Sequence, residues 1–321
     1  DWWRKDVRQG RITRPRLDQF LNYWLIMQTA DEVPSNDVFP RFKTFVDEGP
    51  HAIDDVARQL RIHGSVFRSL EEVDPDSIEG TFLYRWRTIE AGVTTPLLLW
   101  LFAQEENVLT ASDRIRCLQA IESYLVRRMI CRLTTKDYNR LFLELLARTK
   151  EAAHGSVPEA LVGYLASQTS ESRLWPTDLA VRGAVRDLPL YRLLTRGRLR
   201  MVLEALEDDL RTKYAERGHV VRGKLTIEHI LPQSWQAHWP LPPDAEPLVA
   251  AMERDRRLHT LGNLTLVNDK LNPNLSNDAW PSKHAALGAY STLHLNKDLL
   301  ATYADSAFGD EQILERSEAL A

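Results

Sequence analysis

From residue 15 to residue 213 apolar side chains recur every three or four positions with hardly a break, and near residue 214 that rhythm stops. Such a chain must pack helix on helix over most of its length and then do something else. "PRLDQFLNYWLIMQ" puts Pro15 at a helix start and Leu17, Phe20, Leu21, Trp24 and Leu25 on one face. "SNDVFPRFKTFVDEG" opens on Ser35 as an N-cap and stops at Gly49, with Pro40 restricted to the first turn or kinking the helix. "SDRIRCLQAIESYLVRRMI", capped by Ser112, repeats Ile115, Leu118, Ile121, Leu125 and Met129. "TKDYNRLFLELLARTK", "PEALVGYLASQ" and "RLRMVLEALEDDLRTKY" continue the series. No self-similarity at the period of a helical solenoid is visible. Residues 1–219 therefore read as a helical domain whose Leu, Trp and Phe stripes form the core.

Composition sets the outer bounds. With 321 residues, 44% of them hydrophobic and 27% charged, the chain can bury a sizeable core in two domains or one large one. A net charge of −4 excludes a wholesale cationic nucleic-acid binder but leaves room for a local basic groove. The two cysteines, Cys117 and Cys131, are too few and too far apart for a disulfide framework or a cysteine zinc site, which points to a reducing, cytoplasmic setting. The longest apolar run, "TTPLLLWLFA", is too short to span a bilayer, so no membrane partner is expected. The chain opens at Asp1 with neither methionine nor signal peptide and reads as part of something longer.

After residue 214, "AERGHVVRGKLTIEHILPQ" gives two glycines and a short β-like run that ends before Pro232. "SWQAHWPLPPDAEP" reads as an irregular loop. "LHTLGNLTLVNDKLN" is a second strand, with Leu264, Leu266 and Val267 framed by Gly262 and Asn268. "LSNDAWPSKHAALGAYS" then predicts a helix capped by Ser276 or Asn277. Within the first strand Glu228 and His229 interrupt an apolar run, where titratable groups seldom sit without a partner. Strand, loop, strand and helix with these residues suit a one-metal phosphodiesterase. Such chemistry needs an imidazole to take a proton from water. It needs oxygen ligands for a hard divalent cation and a hydrogen bond that fixes the imidazole's tautomer. Glu228, His229, Asn263 and Asn272 can fill those roles. The plainer readings are a core histidine for His229, and turn residues for Asn263 after its glycine and for Asn272 in "NPN".

"IEHILPQSW", "LGNLTLVNDKLN" and "LSNDAWPSKHAAL" resemble the HNH (His-Me finger, ββα-metal) nuclease motif, in the version found in the C-terminal domain of GmrSD-type modification-dependent restriction enzymes and of SspE-like phage-defence proteins. The resemblance implies a mainly α chain, with the helical domain followed by a small ββα-metal nuclease domain over residues 220–321. It implies His229 as general base, Glu228 as metal ligand, Asn263 as the motif's central asparagine, and Asn272 as the last ligand, where many relatives use histidine. Mg²⁺ or Mn²⁺ is the implied cofactor and double-stranded DNA the implied partner. The implied activity is nicking, as the effector part of a bacterial anti-phage protein. The family's N-terminal nucleotide-hydrolysing sensor domain has no counterpart in this sequence, which holds no GxxxxGK[ST] loop.

Other residues bear on the same reading. "VRGAVRDLPLYRLLTRGRLR" holds six arginines, among them Arg196, Arg198 and Arg200, against the single acid Asp187, and suits contacts to backbone phosphate. Lys283, on the helix after the motif, could reach a phosphate or simply be solvated. His238 and His259 could join His229 in a zinc triad, although their spacing is irregular. The alternative to an enzyme is a non-catalytic helical module that holds DNA or a protein on a degenerate nuclease fold. An intact His229 speaks against it.

Overall fold

The computed structural model describes residues 2–9, 12–50, 52–216, 218–241, 245–268, 277–304 and 308–321. The chain divides into two compact units, Asp1–Met129 with Leu133–Trp175, and Ile130–Arg132 with Pro176–Ala321. As the helical periodicity predicts, it is mainly α. No described helix is long and apolar enough to cross a membrane.

The first unit opens with a hairpin that the periodicity did not reveal, β1 (Asp6–Gln9) antiparallel to β2 (Ile12–Pro15). Helix α1 (Arg16–Thr29) follows directly, with Pro15 at its N-cap. It buries Phe20, Trp24, Leu25 and Met27 and stops at Ala30, whose positive φ lets its N–H close on the Ile26 carbonyl at 2.8 Å. Helix α2 (Val38–Glu48) starts after Asp37 instead of Ser35 and keeps Pro40 in its first turn, where a missing N–H is harmless. Helices α3 (Ile53–Ser69), α4 (Ile78–Ile89), α5 (Thr95–Ala103), α6 (Ala111–Ile130), α7 (Tyr138–Glu151) and α8 (Val157–Ala166) complete the bundle. The apolar run "TPLLLWLFA" is α5, a core helix with Leu97, Leu98, Leu99 and Leu101 fully buried. The cap of α6 is Thr110, not Ser112: its Oγ1 accepts from the Asp113 N–H at 3.1 Å.

The second unit begins with α9 (Asp178–Asp187), α10 (Leu190–Leu193) and α11 (Arg196–Lys213). Strand β3 (Thr226–His229) pairs antiparallel with β4 (Leu264–Val267), placing Glu228 opposite Thr265 and His229 opposite Leu264. Between the strands lie a 3₁₀ turn at Trp235–Ala237, the helix α12 (Pro247–Arg257) and a 3₁₀ turn at Leu261–Asn263. Helices α13 (Trp280–Tyr290), α14 (His294–Thr302) and α15 (Asp310–Ala319) follow. The cap of α13 is Ala279, without a side-chain bond; Asn277 does not cap it, and Ser276 lies outside the described residues.

The expected boundary at 219/220 falls inside this second unit. Three buried acids on α11 explain the continuity. Glu204 accepts from the Gly223 N–H at 2.7 Å and Asp208 from the Val220 N–H at 2.9 Å. Glu207, fully buried, accepts from the N–H groups of His294 and Leu295, the first turn of α14, at 3.1 and 2.9 Å. A carboxylate borrowed from another helix thus satisfies donors that a helix start leaves open.

Candidate functional site

The site grows from the last two residues of β3. Antiparallel pairing sends Glu228 and His229 to opposite faces of the two-stranded sheet. His229 is 6% exposed. Its Nε2 lies 3.4 Å from Nδ1 of His259, itself 3% exposed, with the two rings nearly perpendicular. Tyr191 of α10 holds both rings: it stacks on His259 at 5.6 Å and meets His229 edge-on at 4.3 Å. Its backbone N–H donates to the His259 carbonyl at 3.0 Å. The Arg196 guanidinium lies 3.3 Å over the Tyr191 ring and donates to the Tyr191 carbonyl.

Glu228 meets a residue expected elsewhere. Lys283 of α13 is 1% exposed, and its Nζ donates to Glu228 Oε1 at 2.8 Å and to the His229 carbonyl at 2.7 Å. The ammonium that could have met phosphate at the surface is buried, and it grips both residues of the Glu228–His229 pair from behind. Glu228 keeps 15% of its side chain exposed.

Asn263 is fully buried, and its side-chain hydrogen bonds go to backbone groups and not to the His229 ring. Its Oδ1 accepts from the Leu231 N–H at 2.8 Å, while its Nδ2 donates to the carbonyls of Leu231 and Leu258 at 2.8 and 2.9 Å. Its backbone carbonyl accepts from the Ile230 N–H at 2.9 Å. One side chain therefore clamps the exit of β3 to the entry of β4, so a turn residue in sequence is a structural clasp here. Gly262 is needed beside it because α15 comes close. A Cβ would strike the Ile313 carbonyl and Ser317 Oγ, the latter already accepting from the Gly262 N–H at 3.0 Å. Arg316 of α15 adds two 2.8 Å bonds to the Gly262 and Leu264 carbonyls.

Electrostatics follow from burial. Desolvation, then His259, Lys283 and Arg196, pull the His229 imidazole down to about 3. Desolvation lowers His259 too, helped by Arg192 and Arg196 and opposed by Asp255. Both rings are neutral at pH 7. Burial raises Glu228 against the pull of Lys283, and burial lowers Lys283 against Glu228.

The arginines divide by exposure. Arg196 is exposed next to the imidazoles, Arg198 is half-buried, and half-buried Arg200 donates to the Gly223 carbonyl at 3.2 Å. The zinc triad does not form: His238 lies beside Trp239 and Arg254, and no group of three His, Cys, Asp or Glu is placed to hold a metal ion among the described residues. Asn272 lies outside the described residues. For a hard cation that keeps several waters, one or two protein oxygens suffice. Glu228 is a donor of that type and keeps part of its side chain exposed, so the residues fit such an ion, with the Lys283 charge weakening the site. Tyr191 is the member that sequence reasoning passed over, with its signal in "LPLYRLL"; His259 was considered beside His229 only as a zinc ligand.

Residues 175–321 match the family described as GmrSD restriction endonucleases, C-terminal domain. No curated protein matches the chain.

Proposed function

We propose, from the premise that residues 175–321 form a C-terminal region of the GmrSD restriction-endonuclease type, that this unit is a divalent-metal-dependent HNH nuclease that nicks DNA. The observation that carries the reading is a buried, neutral imidazole at the end of β3, with an oriented ring partner and a carboxylate as its chain neighbour.

His229 takes the proton from the water that attacks the phosphodiester. A base works best with a pKa near the operating pH, and His229 lies well below it in the free protein. One of the charges that depress it is exposed Arg196. A phosphate drawn to Arg196 offsets that charge, so substrate itself strengthens the base. Glu228 and Asn272 would hold Mg²⁺ or Mn²⁺, which when bound neutralises charge on the phosphate and on the leaving oxygen. Lys283 holds the Glu228 carboxylate and the His229 backbone in place, a positioning role rather than a DNA contact. Asn263 keeps the two strand ends in register. Arg196 and Arg198 contact backbone phosphate without reading bases. One site cuts one strand, so nicking is the product unless two copies act together, and the unit serves as the effector part of a modification-dependent defence protein.

The Lys283–Glu228 pair favours a second reading, a DNA- or protein-binding module whose carboxylate has been given over to a lysine. A plasmid assay separates the two. With Mg²⁺ or Mn²⁺, supercoiled plasmid turns to open circle, and with EDTA it stays supercoiled. Undiminished nicking in EDTA overturns the metal requirement, and no nicking with either ion leaves the binding module.

A further inference from the structure

His229 and His259 face each other through two ring nitrogens, one on each, and both rings are packed too tightly to turn freely. His259 is fixed three ways: by the Tyr191 stack, by the bond from the Tyr191 N–H to its carbonyl, and by the turn leading to Asn263. A bulky apolar residue would fill the same space, so packing alone does not call for a histidine.

We propose that His259 is a positioning residue that sets the tautomer of His229 through the Nε2–Nδ1 contact. The inference rests on His229 being the base. Two neutral imidazoles can share this contact in only two ways. If Nε2–H of His229 donates to Nδ1 of His259, then Nδ1 of His229 keeps its lone pair, ready for a proton from water. If Nδ1–H of His259 donates to Nε2 of His229, the His229 proton sits on Nδ1 and the base is blocked. Neutral histidine prefers the Nε2–H form, and two rings in that form make the bond in the first direction. Once His229 accepts the proton, its Nε2–H donates to His259 as a charge-assisted bond. The same contact that selects the tautomer therefore also steadies the imidazolium.

The test uses the geometry of the acceptor. An asparagine at 259 carries an oxygen close to the place of Nδ1, whereas a glutamine carries it close to the place of Nε2. His259→Leu should lower the nicking rate about 10- to 100-fold with KM for plasmid unchanged, the usual cost of losing an orienting partner. His259→Asn should recover most of that loss and His259→Gln should not. Equal behaviour of the three variants, or a wild-type rate in His259→Leu, overturns the proposal. Nitrogen NMR of ¹⁵N-histidine-labelled protein reads the tautomer without any activity. Wild type and His259→Asn should show His229 protonated on Nε2 and bare on Nδ1, and His259→Leu a mixture. A proton on Nδ1 of His229 in wild type sinks the proposal whatever the activity. A correct tautomer in a protein that nicks nothing supports the positioning and rejects only the nuclease reading.

Discussion

Each unit buries a long cation, and the two are used in different ways. In the first unit Arg128 is fully buried and donates to the carbonyls of Thr134, Glu171, Ser172 and Leu174, the closest at 2.6 Å. Its hydrogen-bond partners are uncharged backbone carbonyls, so it works as a tie between two loops. In the second unit Lys283 is as deeply buried, yet one of its partners is a carboxylate and the other is the carbonyl of a histidine. Its carboxylate partner can change charge, and its carbonyl partner belongs to a residue whose side chain can take a proton. The contrast teaches how to tell scaffold from chemistry in this chain. Both cations satisfy backbone, but only Lys283 also pairs with a carboxylate beside an imidazole.

Removing the lysine should have the larger effect. Lys283→Met leaves Glu228 charged and unpaired in the interior, a cost of about 3–5 kcal/mol. Denaturant unfolding should show that loss, and Glu228→Gln in the same chain should recover most of it. If Lys283→Met unfolds like wild type, the pair is incidental. Arg128→Met should come next, at about 1–3 kcal/mol for carbonyls left without donors. It should leave the nicking rate of the folded protein unchanged, and a slowed rate would erase the distinction drawn here. The smallest effect is on binding. Arg196→Glu should weaken DNA affinity equally for all sequences and reduce the salt dependence by about 0.9 in log–log slope for its one phosphate contact. Arg200→Glu should change the slope less, because Arg200 is tied to the Gly223 carbonyl. Equal slopes for the two variants would show that exposure does not decide which arginines meet DNA.

What the sequence made legible follows from how local each signal is. Helical periodicity marked α1, α2, α6, α7 and α8 of the first unit, because every turn repeats the same information. Caps slipped by two residues at α2 and α6, where Asp37 and Thr110 stood as near neighbours of the chosen serines. Helix α12 stayed hidden behind the proline-rich run before it, since "PLVAAMERDRR" exposes Leu248, Val249 and Met252 and shows no clean apolar stripe. Glu228 and His229 stood out as charges inside a strand. Their partners did not, because Lys283 and His259 reach them across 55 and 30 residues, and no local pattern encodes such a meeting. Tyr191 was harder still, an aromatic in a basic run whose importance lies in the two rings it holds.

The central claim is that His229 does chemistry and not packing. It is tested most directly by His229→Ala in the plasmid-nicking assay with Mg²⁺, with DNA affinity and unfolding measured on the same preparation. Loss of a general base should slow nicking by the folded protein about 10²–10⁴-fold with affinity close to wild type, beyond the stability lost to the cavity the ring leaves. A variant that nicks at nearly the wild-type rate, or one whose lost activity is no more than its unfolded fraction accounts for, would show His229 to be a core histidine.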